Sequence, residues 1–515
     1  MKSRFLQCFT AITLFVALAT PAQLAGQGQA KARPHYKFVE LGTLGGPNSA
    51  ITGQAYVLNS SGVAVGTADT STPDPNYPNF NPLLGKNPFI QHAFRWDGRH
   101  MKDMHAFSGT NSTFTNSLNA NGAAVGLSEN GSIDPVTGWP EATAALWLPG
   151  RKTPKSLGTL PGGYESFAIL INDSGLVAGI SENGVADLYS LFGFPTQTRT
   201  FVWTSGKGMK DIGTLGGPDA APNSSTINQG GQVAGFSYTS GTPNSVATPC
   251  GTNIPTANPF FWDGTTMTDI GTLGGTCGFP NAMNNNGQVV GQSDLKGDGF
   301  SNYHPFFWEM VNGKGKLTDI GTFGGPWGIA GWINDAGKVI GLATTKSGGI
   351  RAFLWKKGQK HLTGLGILKG DVCNAAWGIN SKTQIIGDTS INCAFTPQRP
   401  FLWENGAMYD LSVLFPSGRF KTGEAVFIND SGEIAGDGIL QNGDSRAFLL
   451  MPCKAGTKDC KGLVAAAAAH PATITQDRTA VTQGSRSPSE GMTAVRGRLG
   501  RGFPYRGFGT HQEEK

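Results

Sequence analysis

One asparagine recurs eight times, at positions 59, 119, 172, 228, 284, 334, 380 and 429, always in the same short context. An apolar residue precedes it, two turn-forming residues follow, usually a glycine comes next, and a β-branched residue and a second glycine close the unit. INDSGLVAG (171–179), INQGGQVAG (227–235), MNNNGQVVG (283–291), INDAGKVIG (333–341) and INDSGEIAG (428–436) are the clearest copies; LNSSGVAVG (58–66), LNANGAAVG (118–126) and INSKTQIIG (379–387) complete the set. Successive copies lie 46 to 60 residues apart. A period of about 50 confines the chain to folds made by repeating one supersecondary unit, and it is the period of propeller blades. A length of 515 residues would otherwise suggest three or four domains. With Gly 75, Pro 30 and only 15% charged residues, the composition favours many turns and short strands over long helices.

Each copy reads as a β-hairpin. Asn and Asp tolerate the turn and bond its backbone, Gly supplies positive φ, and the β-branched residues resume an extended strand. We label the two strands A and B. A third strand, C, follows as HAFRW (92–96), AALW (144–147), TFVW (200–203), PFFW (259–262), PFFW (305–308), AFLW (352–355), PFLW (400–403) and AFLL (447–450). Phe and Trp two apart face one way, so strand C is expected to bury Trp96, Trp147, Trp203, Trp262, Trp308, Trp355 and Trp403 as a column. Strand D is read in MKDIGTLGG (209–217), MTDIGTLGG (267–275) and LTDIGTFGG (317–325), with weaker versions at 101–107, 156–163, 364–370 and 408–415, and is expected to end in a Gly-Gly turn. Four short strands with turns between them make one blade.

The ends decide between a ring and an open stack. The last copy stops at RAFLLMPC and lacks a strand D, while YKFVELGTLGG (36–46) is a strand D with nothing before it. Pairing that segment beside strand C around Phe448 would close a circle and remove two exposed edges. The expected fold is therefore all-β: a single closed β-propeller of about eight four-stranded blades over 36–453, with the N-terminal strand completing the last blade. The combination of DIGTLGG, INDSG and HAFxW elements, with the tripeptide at His92, Ala93 and Phe94, resembles the HAF extracellular repeat proteins over nearly all of 36–453. Two departures are that His92 is replaced by Arg, Thr or Asn in most other copies and that cysteine-bearing loops interrupt two repeats. The resemblance implies export and repetition, and implies no activity.

Residues 1–22 read as a secretory signal, with Lys2 and Arg4 before an apolar stretch around Phe9 to Ala19 and small residues that place cleavage between about 19 and 30. That stretch is short for a bilayer span, and no later run reaches the necessary length, so no membrane span is expected. Residues 454–515 show no strand periodicity and are expected to form a flexible, weakly basic tail. The leader and this tail carry formal charges of +2 and +5. The body is left at −2, which offers no footprint for nucleic acid. Beyond Cys8, six cysteines remain, an even number that suits disulfides in an exported chain. Cys373 precedes strand A and Cys393 follows strand B of one repeat. Cys250 and Cys277 fall in consecutive connections at one end of the repeats. The expected bridges are therefore 373–393 and 250–277, together with 453–460.

No catalytic set announces itself. The repeated Asp103, Asp211, Asp269, Asp319 and Asp410 occupy one place per repeat and read as strand-end hydrogen-bond formers. The histidines are scattered without metal-ligand spacing, so neither a metal site nor a cofactor is expected. No nucleophile elbow or P-loop is present. Function in a repeat ring lies where the copies differ. The long insertions at 67–91, 127–143, 180–199, 236–258 and 292–304 share one end of the repeats, and we read Trp139, Tyr189, Tyr238, Tyr303, Trp327 and Trp377 there as ligand-binding aromatics. The expected function is a secreted or periplasmic, monomeric binding module for a glycan or a protein. The alternatives are a carbohydrate-active lyase or glycosidase, recognisable by two loop carboxylates about 5 to 10 Å apart in a cleft, and a passive envelope protein.

Overall fold

The computed structural model describes residues 33–466, apart from 52–55, 108, 110, 247, 249, 252, 298, 300, 301 and 396. The expected signal segment and the chain beyond 466 lie outside the described residues. What is described is all-β: antiparallel four-stranded sheets recur along the chain, and two single-turn 3-10 segments, Leu191–Gly193 and Ser412–Leu414, are the helical elements among the described residues. No helix among them is long and apolar enough to cross a membrane.

The third repeat shows how the sequence produces the unit. Strand A (Ser166–Ile171), strand B (Val177–Ala186), strand C (Thr196–Thr204) and strand D (Gly208–Asp211) pair in that order. In the A–B turn, Asn172 Oδ1 accepts from the Leu176 amide at 3.0 Å, and Gly175, with φ +81°, donates to the Asn172 carbonyl at 3.0 Å. The second glycine of the motif, Gly179, has another cause. A Cβ there would lie 2.1 Å from the Phe167 carbonyl oxygen and 2.8 Å from the Phe201 ring, so the close approach of strand C's phenylalanine excludes a side chain. The same ring-on-glycine contact joins Gly66 to Phe94, Gly235 to Phe260, Gly387 to Phe401 and Gly436 to Phe448. The tryptophan column is buried at Trp96, Trp147, Trp203, Trp262, Trp308 and Trp355, and Trp403 is half-buried.

Strand D differs from expectation. It is only two to six residues long, and in five repeats its last residue is the repeated aspartate: Asp103, Asp211, Asp269, Asp319 and Asp410. The Gly-Gly pair does not end it. In repeats 5 and 6, Gly274 and Gly324 instead begin the following strand A, because each aspartate caps its own strand by accepting the backbone amide two residues on.

The N-terminal segment does complete the last sheet. Strand His35–Glu40 runs antiparallel to Ser445–Pro452, with Phe38 opposite Leu450 and Glu40 opposite Phe448. Tyr36 reaches back to donate from its hydroxyl to the Gly432 carbonyl at 3.0 Å, and Phe38 packs against Phe415, Phe420 and Phe448. The boundary at 453 is corrected, however, as is the expected flexible tail over its described part, 454–466. Cys460–Gly462 pairs with the free edge of His35–Glu40, Leu463 is fully buried, and Ala465–Ala466 pairs with Met408 and Tyr409. These pieces are two and three residues long, too short for any periodicity to register, and the Cys453–Cys460 bridge turns the chain back onto the sheet. The other bridges are Cys250–Cys277 and Cys373–Cys393, the pairings that strand order predicts.

A hydrogen-bonded series of asparagines links neighbouring repeats. Each uses its Oδ1 for its own turn and its Nδ2 to donate to the carbonyl of the next asparagine in the series. The links run from Asn119 to Asn172 (3.1 Å), Asn172 to Asn228 (3.1 Å), Asn228 to Asn284 (3.3 Å), Asn284 to Asn334 (3.0 Å), Asn334 to Asn380 (3.0 Å) and Asn380 to Asn429 (3.0 Å). Asn429 then donates to Asn59 (2.9 Å), and Asn59 lies 3.5 Å from the carbonyl of Asn119, so the series returns to its start. A second set of links runs beside it, in which the side chains of Asp173, Gln229, Asn285, Asp335 and Asp430 accept the backbone amide one place after the preceding asparagine. A neutral bond contributes about 1 kcal/mol net, while a fully buried Phe contributes about 2 to 3 kcal/mol. Packing therefore supplies the cohesion, and the ladder sets how one repeat registers on the next.

Candidate functional site

Two ends of the repeats carry polar chemistry. At the A–B hairpins, side chains from all eight repeats line one cavity of about 260 Å³. Its wall holds the asparagine series, Asp173, Asp335 and Asp430, and the mutually edge-on rings of Tyr56, Trp332 and Phe427. Among the described residues, no Lys, Arg or His lines it. Burial first, then Asp335, Asp430 and Asp173, push the Tyr56 hydroxyl up to about 12, so it stays protonated as a donor although 39% of the residue is exposed. Each of these carboxylates already accepts from a neighbouring repeat's amide, so this end is occupied largely in holding the repeats together.

The opposite end carries the B–C and D–A connections. Buried carboxylates anchor these loops. Glu165, at the start of strand A in repeat 3, accepts from Asn81 Nδ2 of the first B–C loop (2.8 Å) and from the Ala142 amide of repeat 2 (3.1 Å). Glu182 accepts the amides of Tyr164 and Glu165 and the Thr196 hydroxyl. Asp219 accepts the amides of Leu191 and Thr198, and Glu129 that of Ser112. Burial pushes Glu165 up to about 9, Asp219 to about 8 and Glu129 to about 7, with nearby Glu182, Asp187 and Asp74 adding to the respective shifts. All four acids are closed to solvent, so they bind loops to the sheet and do not face a cleft.

The six aromatics singled out from sequence do not form one surface. Tyr238 (1% exposed), Tyr303 (3%) and Trp327 (5%) are core side chains. Tyr303 and Trp327 stack at 5.7 Å where strand C of repeat 5 meets strand A of repeat 6 through a single parallel bridge. Trp377 lies within strand A of repeat 7 (Cys373–Ile379), half-buried, with its Nε1 donating to Asp388 Oδ2 at 2.6 Å. Trp139 is half-buried against the cluster that contains Leu83 and Phe194. Tyr189, 36% exposed, remains at the surface. Strands A, B and C run further than the motifs suggested and take these rings into the ladder. Sequence reasoning missed what this end does expose: Ile133 and Val185 at the outer ends of strands B, and Val136, Leu188 and Val246 on the B–C connections of repeats 2 to 4, Leu188 at 95%. Isolated aliphatics in variable loops left no pattern to read.

The loop end also pairs strands C and D. The residue at the first place of the tripeptide meets the aspartate that ends strand D: His92 with Asp103, Arg199 with Asp211, Asn258 with Asp269, His304 with Asp319 and Arg399 with Asp410. In repeat 8 Arg446 faces Glu40 in the same way. The variation of the tripeptide's first residue is thus variation among partners for one acid.

No family model matches the chain, and no curated protein matches it. Among solved structures, a puromycin-hydrolyzing peptidase of Mycobacterium tuberculosis is 10% identical with a TM-score of 0.39, over 84% of this chain and 56% of that one. A polysaccharide lyase of the PL25 ulvan lyase family is 9% identical with a TM-score of 0.36, over 71% of this chain and 96% of that one. Trypanosoma rangeli sialidase is 10% identical with a TM-score of 0.26, over 78% of this chain and 54% of that one. Scores this low carry no argument about activity.

Proposed function

We propose that the repeats form one closed, eight-bladed β-propeller of an exported protein akin to the HAF repeat proteins, and that it is a binding module whose loop end engages a protein partner. Closure is supported by the asparagine series that returns to its start, by one cavity lined from all eight repeats, and by the pairing of His35–Glu40 with Ser445–Pro452. Export is supported by three disulfides. The observation that carries the functional reading is the exposure of Val136, Val185, Leu188 and Val246 on the loops and strand-B ends of repeats 2 to 4. Exposed apolar side chains gathered on one part of a surface mark a site that a protein partner covers, whereas a sugar face needs an exposed aromatic ring. Of the six expected stacking rings, only Tyr189 meets that need.

The experiment is a binding screen of the chain against panels of purified extracellular proteins and of glycans, repeated with Val136, Val185 and Leu188 all changed to Ser. A protein ligand lost in the triple variant, with melting unchanged, supports the reading. Undiminished binding by that variant, or binding confined to glycans and competed by free sugar, overturns it.

A further inference from the structure

We propose that His92, His105 and Asp103 of the first repeat bind a divalent transition-metal ion of the imidazole-preferring class, such as zinc, nickel or cobalt. His92 stands in strand C (Phe89–Trp96), Asp103 ends strand D (Met101–Asp103), and His105 follows two residues later. His92 Nδ1 lies 2.9 Å and His105 Nδ1 3.3 Å from the same oxygen, Asp103 Oδ2, and the three ligand atoms all fall within 4.8 Å of one another. Ligands about 2.0 to 2.1 Å from one tetrahedral ion stand about 3.4 Å apart, so these separations need little adjustment. Two imidazoles and a carboxylate on one side leave further coordination positions toward solvent, where His105 is 54% exposed.

One observation sets this cluster apart from an ordinary strand-end pair, and a second shows how its ligand atoms are oriented. The first is the backbone. Six repeats place a glycine two residues after the acid's position, with positive φ every time: Gly42, Gly158, Gly213, Gly271, Gly321 and Gly366. His105 takes the same left-handed conformation, φ +55°, where a side chain is strained. Strain of this kind is found where a site requires a particular side chain. The second is orientation. The Asp103 carboxylate is aimed by the His105 amide, which donates to Oδ1 at 2.7 Å and leaves Oδ2 for the two rings. His92 Nε2 is 3.2 Å from the Asn111 carbonyl, an acceptor only, so a metal ion bound at Nδ1 would leave the Nε2 proton to donate to that carbonyl. A carbonyl behind a histidine is the usual outer partner of a metal ligand.

Repeat 5 is the internal control. His304 and Asp319 reproduce the first pair at 2.9 Å, but Gly321 stands where His105 does, so the third ligand is missing. Calorimetric titration of the full chain with zinc, nickel and cobalt salts, with the visible spectrum recorded for cobalt, tests the assignment. The unaltered chain should take up a metal ion and show an imidazole-ligated cobalt spectrum. His105→Gly restores the residue found in six other repeats, so it should melt at or above the original temperature and yet bind at least about tenfold more weakly. Gly321→His should add a second equivalent. Absence of binding by the unaltered chain, or undiminished binding by a folded His105→Gly variant, overturns the site.

Discussion

The two ends of each repeat use polar side chains in opposite ways. At the A–B hairpins the same asparagine performs the same two tasks in every repeat, and its neighbours tie one unit to the next. At the loop end the acids are equally well bonded, but Glu129, Glu165, Glu182 and Asp219 hold loops of different length and sequence, and the loops they hold expose aliphatic side chains. One end is uniform because each copy must fit an identical neighbour. The other is free to vary because its anchors lie beneath the loops, in strands that hardly change. Uniformity marks the scaffold, and divergence over fixed anchors marks the surface available for recognition.

The largest effect tests whether the hairpin-end cycle depends on the chain's termini. Deleting everything through Gly46 removes the strand that carries Tyr36 and Phe38 and covers Phe448, and leaves Ser445–Pro452 and Cys460–Gly462 without the strand that lies between them. The expected result is aggregation or a stability loss above about 5 kcal/mol, read by thermal and urea melts. Deleting from Lys461 should cost less but not nothing, about 2 to 4 kcal/mol, because Leu463 is fully buried and its neighbours pair. An N-terminal deletion that melts like the intact chain would rule out closure by this strand.

Within the cycle, asparagine cannot be exchanged for its acid. Asn172→Asp keeps the oxygen that closes the turn but replaces the donor to Asn228 with a second oxygen facing a carbonyl, at a cost of about 1.5 to 3 kcal/mol. Asn59 is the internal comparison, since its Nδ2 is 3.5 and 3.4 Å from its two acceptors, and Asn59→Asp should cost visibly less. Equal shifts in urea midpoint for the two variants would show that the ladder does not register the repeats.

The loop end should answer to pH. Glu165, Asp219 and Glu129 have folded-state values raised to about 9, 8 and 7, so the folded chain binds more protons than the unfolded chain from about pH 5 upward, and stability falls as pH rises through that window. Each such group contributes a slope of about 1.4 kcal/mol per pH unit between its unfolded and folded values. Glu165→Gln retains an oxygen for Asn81 and the Ala142 amide and removes the charge, so urea midpoints between pH 6 and 8 should become flatter and stability at pH 8 should rise. An unchanged slope would mean that Glu165 is ionised in the fold.

Much of this architecture was legible because repetition multiplies weak signals. The hairpins, the tryptophan column, the disulfide pairs and the return of the N-terminal strand (His35–Glu40, expected over 36–46) to the strand of Phe448 all follow from counting copies. What escaped was whatever occurs once. Tyr303 and Trp327 looked like loop aromatics because nothing local tells that strand C of one repeat bridges strand A of the next. His92 and His105 are 13 residues apart in the chain and meet only because strand D folds back on strand C. Cys460–Gly462 is too short to announce a strand, and its partner lies more than 400 residues away.

The smallest effect sharpens the contrast between anchor and surface within a single loop. Leu188 and Leu191 are three residues apart on the B–C connection of repeat 3, with exposures of 95% and 1%. The Leu191 amide is held by Asp219 at 2.5 Å, and its side chain belongs to a core cluster with Phe194 and Tyr238. Leu191→Ala should therefore cost about 2 to 4 kcal/mol, as a buried leucine does. Leu188→Ser removes an apolar side chain that touches mainly water, and should shift folding stability by no more than about 0.5 kcal/mol. If that residue serves a partner, binding must fall while the melt stays where it was. A melt that falls with the binding would place Leu188 among the anchors and return the loop to the scaffold.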